Sequence, residues 1–226
     1  MAVMAKLPVP GEVKTRLCPP LSPDQAAGLA RCFLQDRVDQ IVALETVEPI
    51  VAFTPGDQGE ALRRLLPHDV RLVPQNGADL GARLDRLLTD LLAEGRAGAV
   101  AVDADSPSLP TAFLRRACAR LLQGDVDVTV GPCEDGGYYL IGLRRPAPEL
   151  FRSMPWSTPA VLGETLERVR RLGLRLELLP SWFDVDRGDD LARLKADASA
   201  GAPGGPGGVV PFVPARTLRF LRTELG

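Results

Sequence analysis

Short apolar runs alternate with segments of helical periodicity from the N-terminus to about residue 130. The apolar runs predict strands buried on both faces, and the segments between them predict helices that cover the sheet. This alternation is typical of an α/β fold with a mostly parallel sheet flanked by helices. The predicted strands are Ala2–Ala5, Pro49–Thr54, Val70–Val73, Ala99–Val102, Val126–Val130, Tyr138–Leu143 and Leu174–Leu179, of which Tyr138–Leu143 can return antiparallel after a Gly-Gly pair.

Local signals mark where the helices begin and end. Ser22-Pro23-Asp24-Gln25 combines an N-cap serine, a proline at the first helical position and a capping-box glutamine, and predicts a helix to about Leu44. Asp79 is placed to cap a helix with one apolar stripe, formed by Leu80, Leu84, Leu87, Leu88 and Leu91. The remaining predicted helices are Asp57–Leu66, Thr111–Leu122, Pro159–Leu172 and Asp189–Ala196.

The chain predicts one domain over residues 1–198 and a short tail. Residues 199–208 are dominated by glycine and proline, which indicates a flexible linker. Residues 209–226 contain apolar positions and a short amphipathic helix with Leu218, Phe220 and Leu221. Because exposed apolar residues would form an adhesive patch, we expect this segment to dock on the domain or on a neighbouring subunit of a homodimer.

Composition excludes several classes of protein. Of the 226 residues, 45% are hydrophobic and 25% are charged, which is ordinary for a globular chain. Lysine and arginine number 27 against 29 acidic residues, so no basic field attracts the chain to nucleic acid or to a membrane surface. No apolar run approaches the ~20 residues of a membrane span, and we expect a cytoplasmic protein.

Three residue types restrict the chemistry further. The four cysteines form no C-x-x-C pair and are expected to be reduced. His68 is the single histidine, which excludes mechanisms that need two and argues against a Ser-His-Asp triad. Lys6, Lys14 and Lys195 are the only lysines among 27 basic residues, so each hints at a role that a compact ammonium fills better than a guanidinium.

The first loop, after the strand Ala2–Ala5, is cationic. Ligands of open parallel sheets bind at the carboxyl ends of the strands, so this loop is a candidate site. Gly11, Lys14 and Arg16 place two cations and a small-residue turn there, with Lys6 at the start of the loop, and this combination suits a polyphosphate. The pattern is neither a Walker loop nor a dinucleotide fingerprint, and a solvated basic loop is the alternative.

The loop after the third strand carries amides. Gln75 and Asn76 offer donors and acceptors of the kind that read the edge of a base, and Gly77 lets a flat ring approach the backbone. A plain turn with Asp79 as the helix cap is the alternative.

Two carboxylates follow the fourth strand. Asp103 and Asp105 emerge together where oxygen ligands can hold Mg²⁺ or Mn²⁺, whereas helix capping needs only one acid. Asp184 and Asp186, much later in the chain, are candidates for a further ligand.

Two polar elbows are candidates for an acceptor pocket. Cys133–Tyr139 joins two strands through Gly136-Gly137, and glycines there mark a close approach of the backbone to a ligand or to another segment. A simple β-turn is the alternative. Trp156-Ser157-Thr158 precedes a helix and suits either an N-cap or an acceptor pocket.

Six motifs follow one another along the chain: AKLPVPGEVKTRL, QNGADLGARL, DADSPSLP, GPCEDGGYYLIGL, MPWST and FDVDRGDDL. In this order they resemble bacterial transferases labelled radical-SAM/selenodomain-associated, also called arsenosugar-biosynthesis glycosyltransferases. That family is similar in fold to the 2-phospho-lactate guanylyltransferases and the molybdenum-cofactor guanylyltransferases. The resemblance covers about residues 1–197 and implies the GT-A nucleotide-diphospho-sugar transferase fold, with a nucleotide site at the carboxyl edge of a Rossmann-like sheet.

The resemblance also implies roles for single residues. One position departs from the family, because Asp103 stands where many relatives have glycine, and it is left open whether Asp103 binds metal, accepts from a ribose hydroxyl or caps a helix. The matched positions are Lys14 and Arg16 for the phosphates, Gln75–Gly81 for the base, Asp105 and Asp186 for Mg²⁺ or Mn²⁺, and Asp135, Gly136 and Gly137 for the acceptor.

These observations favour a metal-dependent nucleotidyltransferase. Such an enzyme moves NMP from an NTP, with GTP favoured by analogy, to a small phosphorylated or carboxylated acceptor and releases pyrophosphate. Lys14, Arg16 and an ion held by Asp105 are the expected catalytic groups, because this chemistry needs positioning and charge neutralisation more than proton transfer. A glycosyltransferase with a nucleotide-sugar donor is one alternative, and a non-catalytic nucleotide-binding protein is the other.

Overall fold

The computed structural model describes residues 1–200 and 208–224. The predicted α/β architecture is confirmed, with a sheet flanked by helices. Seven strands form one sheet in the order β3-β2-β1-β4-β6-β5-β7. They are β1 (Ala2–Lys6), β2 (Ile50–Thr54), β3 (Arg71–Pro74), β4 (Ala99–Val102), β5 (Val128–Pro132), β6 (Tyr138–Leu143) and β7 (Leu176–Leu178). Strand β6 runs antiparallel to β4 and β5, as the Gly-Gly pair before it allows, whereas β2–β3 and β5–β7 are parallel pairs.

The helices begin where the capping signals predict. Ser22 Oγ accepts from the backbone N–H of Gln25, whose side chain accepts in turn from the N–H of Ser22. Asp79 accepts from the backbone N–H of Ala82 at 2.8 Å. The helices are α1 (Pro23–Val42), α2 (Gly59–Arg63), α3 (Leu80–Ala93), α4 (Thr111–Gln123), α5 (Val161–Arg171), α6 (Gly188–Ala200) and α7 (Ala215–Glu224).

Several elements depart from the sequence prediction in their limits, and β7 (Leu176–Leu178) is shorter than the predicted strand Leu174–Leu179. Helix α2 is shorter than predicted, because Leu65 and Leu66 bond to carbonyls three residues back and form a tighter turn instead. In α3, the predicted apolar stripe is buried except at its first position, where Leu80 is 43% exposed.

The chain divides into two compact units. The β1–β3 unit comprises residues 3–74, 103–111 and 183 onward, and the β4–β7 unit comprises residues 1–2, 75–102 and 112–182. The predicted linker at 199–208 falls mostly on residues outside those described, so the domain limits stay a prediction.

Helix α7 packs on α1 within the β1–β3 unit. Asp36 of α1 is buried and accepts the backbone N–H groups of Arg216 and Thr217, at 3.0 and 2.8 Å, in the first turn of α7. Gly28 of α1 lies under the ring of Phe220, where a Cβ would come within 2.7 Å of a ring carbon. A carboxylate therefore caps α7, and a glycine makes room for its aromatic side chain.

Simple features of the composition can be located directly. All four cysteines carry free thiols. His68 lies at the surface with its Nε2 2.8 Å from Asp39 Oδ1. Along the described part of the chain, no helix combines the length and the apolar character that crossing a membrane requires.

Candidate functional site

A cavity of about 300 Å³ lies in the β1–β3 unit, beside the carboxyl end of β1. This volume is at the lower end of the range of roughly 300–1,000 Å³ found for small-molecule sites. Its apolar wall includes residues of β1 and α1. Its charged lining consists of three cations, Lys6, Lys14 and Arg16, and three carboxylates, Glu12, Asp105 and Asp186.

The ammonium of Lys14 lies between two of these carboxylates. Its Nζ is 2.8 Å from Asp105 Oδ1 and 2.8 Å from Asp186 Oδ1. The Lys14 side chain is only 6% exposed, and Nζ also lies 5.8 Å from the ring centre of Phe33 on α1. Arg16 Nη1 is 3.4 Å from the other oxygen of Asp186. The structure thus brings together four predicted site residues, Lys14, Arg16, Asp105 and Asp186, from three distant parts of the sequence.

Neighbouring opposite charges shift the pKa values of Lys14 and Asp186 toward their charged forms. Burial alone lowers the pKa of Lys14, but the adjacent Asp105 and Asp186 outweigh it and raise that pKa above its ordinary value. Burial alone raises the pKa of Asp186, but Lys14 and Arg16 bring it below its ordinary value. Lys14 and Asp186 therefore face each other as charged groups at neutral pH.

Backbone geometry holds the charged groups in place. Lys14 has φ 48° and ψ 36°, a left-handed conformation that is uncommon for a residue with a side chain. Gly11 reaches φ 78° with no atom near its missing Cβ, so conformation alone favours glycine there. The backbone N–H of Val185 donates to the carbonyl of Asp105 at 2.8 Å and joins the segments that carry the two carboxylates.

Asp103 turns away from the cavity toward a buried arginine. Arg37 of α1 is 1% exposed and donates to the carbonyls of Asp103 and Ser106, at 3.1 and 2.6 Å. Its Nη2 lies 3.6 Å from Asp103 Oδ1, and Ser106 Oγ donates to Asp103 Oδ2 at 2.7 Å. Burial raises the pKa of Asp103 to about 7, although Arg37 opposes the shift. Asp103 is therefore engaged in holding the loop that carries Asp105.

Sequence reasoning missed Arg37, although the sequence contains a signal for it. Phe33 and Ile41 stand four residues before and after Arg37, and both are fully buried on α1. Residues spaced by four share one face of a helix, so an arginine on this face needs acceptors inside the fold.

The carboxylate pair has the donor chemistry of a divalent-metal site. Asp105 and Asp186 direct one oxygen each toward a common point, and carboxylate oxygens are the ligands that Mg²⁺ and Mn²⁺ prefer. These residues therefore fit such an ion, while Lys14 holds the position between them.

The predicted base loop and part of the acceptor motif meet in the β4–β7 unit. Gly77 has φ 148°, and a Cβ there would lie 2.7 Å from the backbone of Ala82. A Cβ on Gly81 would lie 2.7 Å from Trp156 Nε1, so this glycine allows the indole to pack on the first turn of α3. Gln75 and Asn76 belong to the same unit, at the end of β3.

The elbow between β5 and β6 makes a close backbone contact. Asp135 Oδ1 accepts from the backbone N–H of Gly137 at 2.8 Å, and Gly136 has φ 91°. A Cβ on Gly136 would collide with the backbone of Pro159, and the Gly136 carbonyl accepts from the N–H of Leu162 at 2.8 Å. At Gly136 the close approach is thus to the segment that begins α5.

The PWST turn is ordered by its own hydrogen bonds. Thr158 Oγ1 donates to the carbonyl of Pro155 at 2.7 Å and accepts from the N–H of Ala160 at 3.3 Å, and Ser157 has φ 63°. Tyr138, which sequence reasoning passed over, packs edge-on against Trp156 with ring centres 6.3 Å apart. Both Tyr138 Oη and Trp156 Nε1 are buried without a hydrogen-bond partner within the structure.

Residues 37–158 match one family model, described as an uncharacterized protein conserved in bacteria (DUF2064). The chain belongs to this family. A crystal structure from Desulfovibrio desulfuricans G20, assigned as a nucleotide-diphospho-sugar transferase, is 31% identical to this DUF2064 member with a TM-score of 0.86. The match covers 98% of this chain and 92% of the other. A search among curated proteins found no match.

More distant structures share the fold. CMP:2-keto-3-deoxy-manno-octonic acid synthetase complexed with CTP is 12% identical with a TM-score of 0.55, covering 88% of this chain and 97% of the other. Molybdopterin-guanine dinucleotide biosynthesis protein A from Archaeoglobus fulgidus is 13% identical with a TM-score of 0.55, covering 88% and 100%. The predicted GT-A-like fold of this DUF2064 member is confirmed.

Proposed function

We propose that this DUF2064 member is a nucleotide-dependent transferase that binds the phosphates of its donor at Lys14 and Arg16. One observation carries the proposal: two cations and two carboxylates, far apart in sequence, meet in one cavity at the carboxyl end of β1. This is the edge of an α/β sheet at which ligands bind. The nucleotide-handling names of the structural relatives support the same reading.

Nucleotidyl transfer is the preferred reaction. An oxygen of a phosphorylated or carboxylated acceptor attacks the α-phosphorus of an NTP, and pyrophosphate departs. Lys14 and Arg16 neutralise the negative charge that grows on the leaving group, where fixed cations lower the barrier most. A divalent ion bound by Asp105 and Asp186 would polarise phosphate oxygens. Arg37 and Ser106 position the loop of Asp105 through Asp103.

The residues assigned to the base and to the acceptor belong to this proposal. Gln75, Asn76, Gly77 and Gly81 would contact the base, and guanine is favoured by analogy with fold relatives. The acceptor would contact two turns of the β4–β7 unit, with residues Asp135, Gly136, Gly137, Trp156, Ser157 and Thr158.

Glycosyl transfer is the second candidate. The assignment of the D. desulfuricans relative as a nucleotide-diphospho-sugar transferase favours it, as does the resemblance to transferases labelled with arsenosugar biosynthesis. In this reaction the same cations would bind the diphosphate of a nucleotide-sugar, and a nucleoside diphosphate would leave.

The two reactions release different products. Purified protein is incubated with each NTP or nucleotide-sugar, Mg²⁺ or Mn²⁺ and a panel of phosphorylated and carboxylated acceptors, and the released phosphates are quantified. We expect pyrophosphate from an NTP, and a rate about 10²–10³-fold lower in Lys14→Ala. Nucleoside diphosphate from a nucleotide-sugar, with no pyrophosphate from any NTP, would establish the glycosyltransferase instead. Binding without turnover of either donor class would indicate a nucleotide-binding protein.

A further inference from the structure

We propose that Lys14 is an internal counter-cation, which keeps divalent ions off Asp105 and Asp186 until the phosphates of the donor draw its ammonium away. The inference deepens the proposed function and takes the nature of the displacing anion from it. The observation behind it is the position of Lys14 Nζ, 2.8 Å from an oxygen of each carboxylate.

The ammonium and a bridging ion compete for one place. Asp105 and Asp186 are the carboxylates that would hold a divalent ion, and Lys14 already contacts one oxygen of each. The N–H groups of Lys14 engage those oxygens, and lone pairs used by charge-assisted hydrogen bonds are withdrawn from metal coordination. An ion beside the remaining ammonium would also meet strong like-charge repulsion, because the Lys14 side chain is 6% exposed.

The charges of the cluster balance without a metal. Asp105 and Asp186 contribute two negative charges, and Lys14 and Arg16 contribute two positive charges within 3.4 Å of them. A divalent ion added to this cluster finds no uncompensated carboxylate. Conversely, Lys14 stays where it is, since a buried cation that is separated from its carboxylate partners Asp105 and Asp186 is destabilised.

A phosphate chain changes this balance. Its oxygens accept the hydrogen bonds of Lys14 and supply the negative charge that the ammonium needs, so Lys14 can leave the carboxylates without becoming unpaired. The flexible stem of lysine allows the ammonium to move while the backbone stays in place. Asp105 and Asp186 are then free to bind an ion, so nucleotide and metal occupancy are linked through one side chain.

Removing the ammonium tests the inference without any nucleotide. Mn²⁺ binding is measured by electron paramagnetic resonance and by calorimetry for the wild type, Lys14→Met and Lys195→Met. Lys195 is exposed on α6 and lies outside the lining of the cavity, so Lys195→Met makes the same chemical change away from the carboxylate pair. We expect weak Mn²⁺ binding in the wild type and at least about tenfold tighter binding in Lys14→Met, because a like charge has been removed. Lys195→Met should stay within about twofold of the wild type.

Two further variants show whether the added Mn²⁺ affinity arises at Asp186 and whether misfolding affects the result. Adding Asp186→Asn to Lys14→Met should abolish the added Mn²⁺ affinity. Where circular dichroism shows that Lys14→Met is unfolded, Lys14→Gln takes its place, since its amide can still donate to the carboxylates without a charge. With a saturating non-hydrolysable NTP, Mn²⁺ affinity should rise by a smaller factor in the lysine variant than in the wild type.

Two results of the Mn²⁺ titrations would contradict the proposal. Tight Mn²⁺ binding by the wild type without nucleotide, or equal Mn²⁺ affinities in Lys14→Met and Lys195→Met, would overturn the counter-cation role. The main titration contains no nucleotide, so its result does not depend on the proposed function. Failure of every NTP to bind would refute the proposed function, whereas a gain of Mn²⁺ affinity in Lys14→Met would still support the counter-cation role of Lys14.

Discussion

Two buried cations of the β1–β3 unit have different tasks. Lys14 faces the cavity and pairs with Asp105 and Asp186, whose place a phosphate would take under the proposed function. Arg37 faces the interior and donates to the carbonyls of Asp103 and Ser106. Because Arg37 is only 1% exposed, its hydrogen bonds are closed to a ligand. The planar guanidinium suits several fixed acceptors, whereas the ammonium suits partners that change.

Loss of Arg37 should therefore be felt in stability. Arg37→Met leaves the carbonyls of Asp103 and Ser106 without their donor and removes the cation beside the Asp103 carboxylate. Breaking a buried pair typically lowers the free energy of unfolding by about 3–5 kcal/mol. Urea denaturation measures the change. The control is Arg86→Met, which removes an exposed partner of Asp90 on α3 and should change stability by less than about 1 kcal/mol. Equal effects of the two variants would contradict the role given to Arg37.

The composition of the sequence points to Lys14, but not to its partners. Lysine is rare in this chain, which marks Lys14 as unusual, and the resemblance assigns it to phosphates. Its contact with Asp186 spans 172 positions along the chain. Such a pairing depends on how distant loops are brought together, which periodicity and capping do not specify.

At the level of elements, α7 is fixed to α1 at both ends. Asp36 accepts two N–H groups from the first turn of α7, and Gln25 Nε2 donates to the carbonyl of Glu224 at 3.1 Å. Before α7, the backbone N–H of Phe212 donates to the carbonyl of Ser108 at 3.0 Å, in the segment that follows Asp105. The tail thus contacts both the helix and the loop that support the cavity.

Removal of the α7 cap should loosen this helix. Asp36→Ala leaves the buried N–H of Thr217 and the part-buried N–H of Arg216 without their acceptor, and we expect the free energy of unfolding to fall by about 1–3 kcal/mol. Limited proteolysis should then cut more rapidly within residues 208–224. Asp24→Ala, on the exposed first turn of α1, controls for the loss of a carboxylate from the same helix. An Asp36→Ala protein as stable and as resistant as Asp24→Ala would show that the cap contributes nothing.

A second carboxylate joins two strands of the other unit. Asp127, just before β5, accepts from Arg175 Nε, Nη2 and backbone N, each at 3.0 Å. These bonds lower the pKa of Asp127 below its ordinary value of 3.8. A carboxyl whose pKa is lowered by folding stabilises the protein above its unfolded-state pKa, and that stability is lost as the pH falls toward the folded value.

Asp127→Asn should therefore destabilise the protein in a pH-dependent way. At pH 7 we expect a loss of about 2 kcal/mol in the free energy of unfolding, and a smaller difference from the wild type at pH 3. Urea titrations at both pH values measure it. Asp90→Asn, on the exposed surface of α3, controls for the loss of charge. A difference between Asp127→Asn and the wild type that is the same at both pH values would contradict this account.

Elements were predictable from the sequence to the extent that their signals are local. The capping box at Ser22 and the Asp79 cap depend on residues a few positions apart, and both form as predicted. The tail helix was predicted from its apolar residues, but the side on which it docks depends on Gly28 and Asp36, nearly two hundred residues away.

At the scale of the molecule, the fold follows from the order of its elements. Alternation of apolar runs and helices predicts an α/β sheet, and the 31% identical relative with a TM-score of 0.86 has the same architecture. The site was predictable as a set of residues, but not as an arrangement. Two carboxylates after one strand favour a metal site in the sequence, because a helix cap needs only one acid, but the role of Asp103 stays open there. Tertiary packing separates Asp103, held by Arg37, from Asp105, held by Lys14.

Under the proposed function, the equal numbers of cations and carboxylates around the cavity affect the association rate of the nucleotide. Three positive and three negative side chains line it, so little net field extends into the solvent to attract a polyanion. Under the proposed function, electrostatic steering would therefore add little to the rate at which a nucleotide enters, and salt would have little influence on that rate. Selectivity for phosphates would arise after entry, when a phosphate takes the place of a carboxylate as the partner of a cation inside the cavity.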